Sequence, residues 1–253
     1  MKIFETVSSF QEWRNSQAKD KTTGFVPTMG ALHPGHESLI QFSVHDNDLT
    51  ILSIFVNPTQ FGHPEDLLNY PNTYEHDLSI AKKLGVDVVF APKNMSELYP
   101  DQYRFKMTES EFSSELCGAH RPGHFDGVLT VVMKLFQLTQ PTRAYFGEKD
   151  HQQLTLIKDM VASFFLPVTI IACPTIRESS GLAMSSRNLR LTPEELHLAP
   201  KLHQIISEIT DQDRALKMLT DLGFKIDYLE DKNHRRYAAA TLGKVRLIDN
   251  VAI

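Results

Sequence analysis

A doubly wound α/β sheet followed by a smaller α+β unit is what the 253-residue sequence predicts, on three observations. Leu49 to Val56 is a continuous apolar and β-branched run, the pattern of a strand buried on both faces, and such strands belong to parallel sheets. Strand-like runs alternate with helix-like segments through short connections, an order that builds a parallel sheet with helices on both sides. Beyond Cys173 the alternation stops, and capped helices precede two final strands. A Rossmann-like domain is therefore expected over residues 1–174 and a small α+β lid domain over 175–253.

Taken in order, Ser8 or Ser9 can cap a short helix carrying Phe10 and Trp13 on one side. Thr22 to Val26 reads as a buried strand with Gly24 as its weak point. Gly30 permits a turn, Pro34 suits a first helical turn, and Leu39, Ile40, Phe42 and Val44 give His36 to His45 one packed side. The strand Leu49 to Val56 ends in the loop Asn57–Gly62, at the carboxyl edge where open α/β sheets bind ligands. Thr73 is expected to cap a helix reaching Leu84, Gly85 to close it, and Val86 to Phe90 to form the next strand. Leu116 to Asp126 reads as a surface loop entering a buried helix over Gly127 to Leu138. Arg143 to Phe146 is a strand, Gly147-Glu148-Lys149-Asp150 a polar turn, and His151 to Phe164 a helix, with a last strand of the large domain over Pro167 to Ala172. Thr192-Pro193-Glu194-Glu195 is a capping box, a helix runs from Asp211 to Leu222, and Phe224 to Leu229 and Lys244 to Ile248 read as strands.

Composition narrows the function. Apolar residues make up 42% of the chain, enough for real cores, and the net charge of −5 without a Lys/Arg block disfavours a nucleic-acid partner. No apolar run approaches the ~18 residues a membrane span needs. Met1 to Arg14 lacks a signal-peptide pattern, and two cysteines, Cys117 and Cys173, give no disulfide framework, so a cytoplasmic location is expected.

The chemistry concentrates in Pro27-Thr28-Met29-Gly30-Ala31-Leu32-His33-Pro34-Gly35-His36, a strand entering a glycine turn and then a helix. Free N–H groups at a helix N-terminus beside two imidazoles suit a phosphate. Zinc is the weaker reading, because proline and glycine separate the histidines and no further ligand cluster lies nearby; ordinary loop histidines are the other. Taken alone, Lys149 reads as a solvated charge, and Ser185-Ser186-Arg187 suits either a polyphosphate or a polar linker. Arg121 sits among flexible residues where a phosphate or carboxylate could meet it.

His33-Pro34-Gly35-His36 resembles the His-x-Gly-His signature of the nucleotidyltransferase superfamily. The longer Pro27–His36 stretch resembles the pantothenate synthetase (pantoate–β-alanine ligase) family. Phe55-Val56-Asn57-Pro58-Thr59-Gln60-Phe61-Gly62, Arg121-Pro122-Gly123-His124-Phe125, Gly147–Leu154, Arg177-Glu178 with Gly181–Asn188, and Arg246-Leu247-Ile248-Asp249-Asn250 resemble further motifs of that family, in its order. The chain looks somewhat shorter than typical members in its C-terminal domain, and Cys117 stands where an acidic residue is expected.

The resemblance implies an AMP-forming acid–amino acid ligase that condenses pantoate with β-alanine through pantoyl adenylate, using ATP and Mg²⁺. It implies His33 and His36 as the groups that meet the reacting phosphate, with His36 resembling the family's proton donor. Lys149, Ser185, Ser186 and Arg187 would hold the triphosphate, and backbone from Met29 through Gly30, Ala31, Leu32, Pro34 and Gly35 would line the ATP site. Gly147, Glu148 and Asp150 would stand at the nucleotide, Asp150 on the ribose, with Ile176 and Met184 beside adenine. Gln60 and Gln153 would grip pantoate, with Asn57 and Arg121 as further substrate contacts. Asp77 is an outer candidate for the metal. A homodimer is expected, with no nucleic-acid or membrane partner. Because the implied mechanism needs no thiol, Cys117 is expected to be incidental. A nucleotidyltransferase acting on another acceptor, or an ATP sensor without turnover, is the competing reading; a tRNA ligase is disfavoured because no room remains for an anticodon domain.

Overall fold

The computed structural model describes residues 1–18, 20–62 and 64–253. Among them, a six-stranded, wholly parallel sheet is formed by β1 (Lys2–Phe4), β2 (Thr23–Thr28), β3 (Leu49–Ile54), β4 (Val88–Phe90), β5 (Arg143–Gly147) and β6 (Thr169–Cys173), in the order β1-β4-β3-β2-β5-β6. The intervening helices are α1 (Val7–Asn15), α2 (Pro34–Asp46), α3 (Pro64–Leu68), α4 (Tyr74–Lys83), α5 (Met95–Leu98), α6 (Cys117–His120), α7 (His124–Thr139) and α8 (His151–Ser163). Strand periodicity sends neighbours to opposite faces. Phe25, Ile51, Val88 and Ala144 pack with Phe10, Trp13, Val128 and Leu156 on one side, while Val26, Leu52, Val89 and Tyr145 pack with Leu39, Ile40 and Ala81 on the other. That two-sided burial is why these strands are apolar at every position.

The chain winds outward from β2 through β3 to β4, then returns to β5 on the other side of β2. The carboxyl ends of β2 and β5 therefore flank the topological switch point, where such sheets open a crevice. Pairing between β2 and β5 is confined to Gly24–Arg143 and Phe25–Ala144. It stops before Pro27, which has no N–H to donate, and the strands part there. Gly24 has its own reason: a Cβ would lie 2.2 Å from Ser43 Oγ, so α2 could not pack as closely on β2.

The C-terminal residues add α9 (Pro193–Leu198), α10 (Lys201–Glu208) and α11 (Gln212–Asp221) on an antiparallel sheet β7-β8-β9 (Lys225–Lys232, Arg235–Leu242, Val245–Ala252). Leu202, Ile205, Ile206 and Leu219 meet Ala238, Ala240 and Leu247 there.

Several expectations need correction. The helix over residues 7–15 is capped by Thr6, which accepts from Ser9 N–H, rather than by Ser8 or Ser9. α2 starts at Pro34, with His33 as its N-cap, and buries Leu39, Ile40 and Ser43, while Phe42 and Val44 are exposed. Thr73 heads α4 without capping it, because its hydroxyl turns to Asp77. The loop over 116–126 contains the short helix α6. β1, β8 and α10 are additions that the sequence does not predict. Among the described residues, no helix is long and apolar enough to cross a membrane.

Candidate active site

One cavity of about 1500 Å³, mouth included, sits over the carboxyl ends of β2, β3 and β5 and is covered by the segment 174–187. β2 and the turn after it deliver Pro27, Thr28, Met29, His33, Gly35 and His36; the loop after β3 delivers Asn57 and Gln60; β5 and the start of α8 deliver Gly147, Lys149, Asp150 and Gln153. Arg121 and His124 enter from the start of α7, and Ile176, Met184, Ser185, Ser186 and Arg187 close the far side.

The His33–His36 turn is built by two left-handed residues in succession, Gly30 at φ +80° and Ala31 at φ +51°. A side chain at Gly30 would also stand 2.9 Å from Asp77 Oδ2. Asp77 is the clamp: Oδ2 accepts from Ala31 N–H at 2.9 Å, Oδ1 from Leu32 N–H at 2.8 Å, and the Thr73 hydroxyl donates at 3.1 Å. The carboxylate is 1% exposed and supports the turn. Asp77→Ala leaves these buried donors without an acceptor, at a cost of about 3 kcal/mol. Calorimetry should show the unfolding temperature falling by about 10 °C; a shift under about 2 °C would contradict the clamp.

Gly30, Ala31, Leu32, Pro34 and Glu148 do not line the cavity. The N–H groups of Ala31 and Leu32 are taken by Asp77. At the start of α2, the Gly35 N–H donates to His33 Nδ1 at 3.1 Å, so the cap is filled by the imidazole itself. That bond places the neutral His33 proton on Nε2. The two rings lie 4.1 Å apart between centroids, and His36 Nδ1 is buried without a partner. Burial, then the Lys149 charge, pushes His33 down to about 4. Burial, then the neighbouring His33, pushes His36 down to about 3. Both are neutral near pH 7.

Lys149 is 19% exposed, with Nζ 3.6 Å from the half-exposed Asp150 carboxylate. Burial works against the charge on Asp150, but the Lys149 and Arg187 cations outweigh it and hold the carboxyl below its usual range. Met184 N–H donates to Ile176 O at 2.9 Å, which brings those two side chains to one wall. Ser185 Oγ accepts from Arg187 N–H at 3.2 Å, and the Tyr70 hydroxyl, also at the cavity, donates to Gly30 O at 3.5 Å.

On the opposite wall Asn57 supports the loop after β3. It is 1% exposed, Nδ2 donates to Gln60 Oε1 and Gly127 O, and Oδ1 accepts from Thr59 and Tyr99. Gly127 is required where α7 meets this loop, since a Cβ would lie 2.5 Å from Thr59 O. Gln60 and Gln153 line the cavity beside Val128, Val131, Val132 and Leu135 of α7. Gln152, next to Gln153, is structural: its amide bonds Phe112 O, Glu115 O and Cys117 N–H.

Sequence reasoning missed His124 and Tyr70. His124 Nδ1 donates to Gln60 O at 2.8 Å, so Nε2 is free to accept Arg121 Nη1 at 3.0 Å. Burial, reinforced by Arg121, pushes His124 down to about 3, which keeps that acceptor available. Its signal lies in the Arg121–Phe125 motif, three residues beyond the arginine. Cys117 lies outside the cavity, its Sγ 3.0 Å from the Tyr228 hydroxyl.

A family model for pantoate–β-alanine ligase matches residues 2–252. Pantothenate synthetase of Bdellovibrio bacteriovorus is 55% identical over 251 residues, covering 99% of each chain. The structure of pantoate–β-alanine ligase from Francisella tularensis, complexed with beta-gamma ATP and β-alanine, matches with a TM-score of 0.95 at 44% identity, over 100% of this chain and 97% of that one. Pantothenate synthetase from Thermus thermophilus matches with a TM-score of 0.90 at 37% identity, over 100% and 99% of the two chains. The chain covers 97–99% of the length of these relatives.

Proposed function

The chain belongs to the pantoate–β-alanine ligase family, and we propose that this cavity condenses (R)-pantoate with β-alanine, using ATP, through a pantoyl-adenylate intermediate. One observation carries the assignment of residues: the His33–His36 turn, Lys149 and the Ser185–Arg187 segment face one cavity whose other wall holds Gln60 and Gln153.

In the first step a pantoate carboxylate oxygen bonds to the α-phosphorus, and the bond to the β-phosphate oxygen breaks. The nucleophile is already ionised, so no strong base is needed. What the step needs is donors aimed at charge moving towards pyrophosphate. His33 and His36 act as neutral hydrogen-bond donors, and Lys149, Ser185, Ser186 and Arg187 hold the phosphates. Asp150 and Gly147 take the ribose, and Ile176 and Met184 flank the adenine.

Gln60 and Gln153 hold pantoate with neutral amides, which bind a carboxylate and hydroxyls without quenching the nucleophile. Val131, Val132 and Leu135 offer an apolar wall to its two methyl groups. In the second step the β-alanine amine bonds to the acyl carbon, the bond from that carbon to the AMP phosphate oxygen breaks, AMP leaves, and the amide nitrogen gives up a proton. Proximity supplies much of that step, because the adenylate stays in the cavity. Arg121, oriented by His124, is assigned to a substrate carboxylate.

Among the described residues lining the cavity, Asp150 is the one carboxylate. Such a donor set fits a Mg²⁺ carried mainly by phosphate oxygens. When bound, the ion neutralises charge on the phosphates.

The reading treats residues 1–174 as the nucleotide- and pantoate-binding domain and 175–253 as a lid, in a cytoplasmic homodimer. Incubation with ATP, Mg²⁺, D-pantoate and β-alanine should give pantothenate and AMP in equal amounts. Release of ADP instead, or no amide product, would defeat it.

A further inference from the structure

We propose that Asp249 and Asn250, adjacent on β9, are positioning residues that align the Lys149 turn and the Ser185–Arg187 segment on the triphosphate. The inference rests on the assignment of those segments to the phosphates. Consecutive residues on a strand face opposite ways, so one strand can reach two neighbours.

Asn250 is 7% exposed, and its amide is fully used. Arg235 Nη1 donates to Oδ1 at 2.5 Å, which turns the NH₂ group the other way. Nδ2 then donates to Glu148 O at 3.0 Å and to Lys149 O at 3.0 Å. Two successive carbonyls of the turn that carries Lys149 are thus held by one side chain from the C-terminal sheet. Lys149 cannot shift its backbone without breaking both bonds.

Asp249 is 5% exposed and takes Arg177 with both oxygens, Nη1–Oδ2 at 2.6 Å and Nη2–Oδ1 at 2.9 Å. Arg177 also donates to Gly181 O at 3.2 Å and pairs with Ala183 in an isolated antiparallel bridge. Asn188 closes the segment by donating to Glu178 Oε1 and Ala183 O, each at 3.0 Å. The residues between, Ser185 to Arg187, are presented from this pinned frame. Asp249 Oδ1 also accepts the Asn250 N–H at 2.8 Å, which ties the two positions together. A planar two-bond arginine–carboxylate pair fixes direction as well as distance, so it suits this work.

The test is a kinetic cycle on the full-length enzyme. Asn250→Ala should raise KM for ATP about tenfold by releasing two carbonyls, with KM for pantoate within about twofold of the parent. In a Lys149→Ala background, adding Asn250→Ala should change KM for ATP by less than about twofold, because the group it positions is gone. Asp249→Asn should behave likewise against Arg187→Ala. If Asn250→Ala fails to fold, Asn250→Asp carries the same expectation, since it keeps the shape and the Arg235 partner but faces two carbonyls with a carboxylate. Parental adenylate formation together with a parental KM for ATP in Lys149→Ala would remove the phosphate assignment and the proposal with it. A damaged Lys149→Ala beside an undamaged, or fully additive, Asn250→Ala would leave the assignment standing and overturn the proposal.

Discussion

Lys149→Ala is expected to lower adenylate formation by ~10²-fold or more, with the unfolding temperature within about 2 °C of the parent. The side chain is partly buried at the cavity, and it approaches the Asp150 carboxylate only at 3.6 Å. Its removal therefore costs the fold little, because a partly exposed pair at this distance is worth at most ~1 kcal/mol. Its loss at the phosphates is different in kind. An ammonium aimed at charge that grows on the leaving pyrophosphate is worth far more in an enclosed cavity than in water. Single-turnover measurement of AMP-linked intermediate, with calorimetry alongside, separates the two effects. Near-parental turnover would take Lys149 out of the mechanism.

His36→Ala should cost a similar ~10²-fold in the same step. The ring is neutral in the ligand-free protein, pushed down to about 3 by burial and by His33. It works as a hydrogen-bond donor, so the parental rate should show no loss from this group between about pH 6 and pH 8. The same shift makes a stability prediction with a definite sign. Unfolded imidazoles bind protons below about pH 6.5, whereas His33 and His36 resist until about 4 and about 3. The unfolded state thus gains protons first, and stability, complete above about pH 6.5, falls as the pH drops towards 4. Unfolding temperature against pH should show that slope, and His36→Ala should flatten part of it. An unchanged slope in the variant would mean that the folded protein does not exclude the proton from His36.

Much of the large sheet was legible because two-sided burial leaves an unmistakable apolar run, as in Leu49–Ile54, and because glycines mark the turns. β8 was not legible. Its core, Ala238-Ala239-Ala240, is buried, yet alanine favours helices and carries no strand signal. It is small there because α10 and the neighbouring strands pack against it. β1 is a three-residue edge strand that only its pairing with β4 defines. At the site, residue types and motif order pointed to the side chains that line the cavity. They did not reveal which polar groups are consumed by the protein itself. Asp77 and Asn57 look like ligands in a sequence, but the partners that occupy them, the Ala31 and Leu32 N–H groups on Asp77 and the Tyr99 hydroxyl and Gly127 carbonyl on Asn57, come from residues far along the chain. The Arg177–Asp249 and Asn250–Lys149 contacts span 72 and 101 positions, beyond the reach of local pattern.

The central claim is adenylate formation in this cavity, and pyrophosphate exchange into ATP tests it most directly. With Mg²⁺ and no β-alanine, labelled pyrophosphate should enter ATP only when D-pantoate is present. Adding β-alanine should then release AMP. Exchange without pantoate, or no exchange from folded protein that binds ATP, would contradict the account.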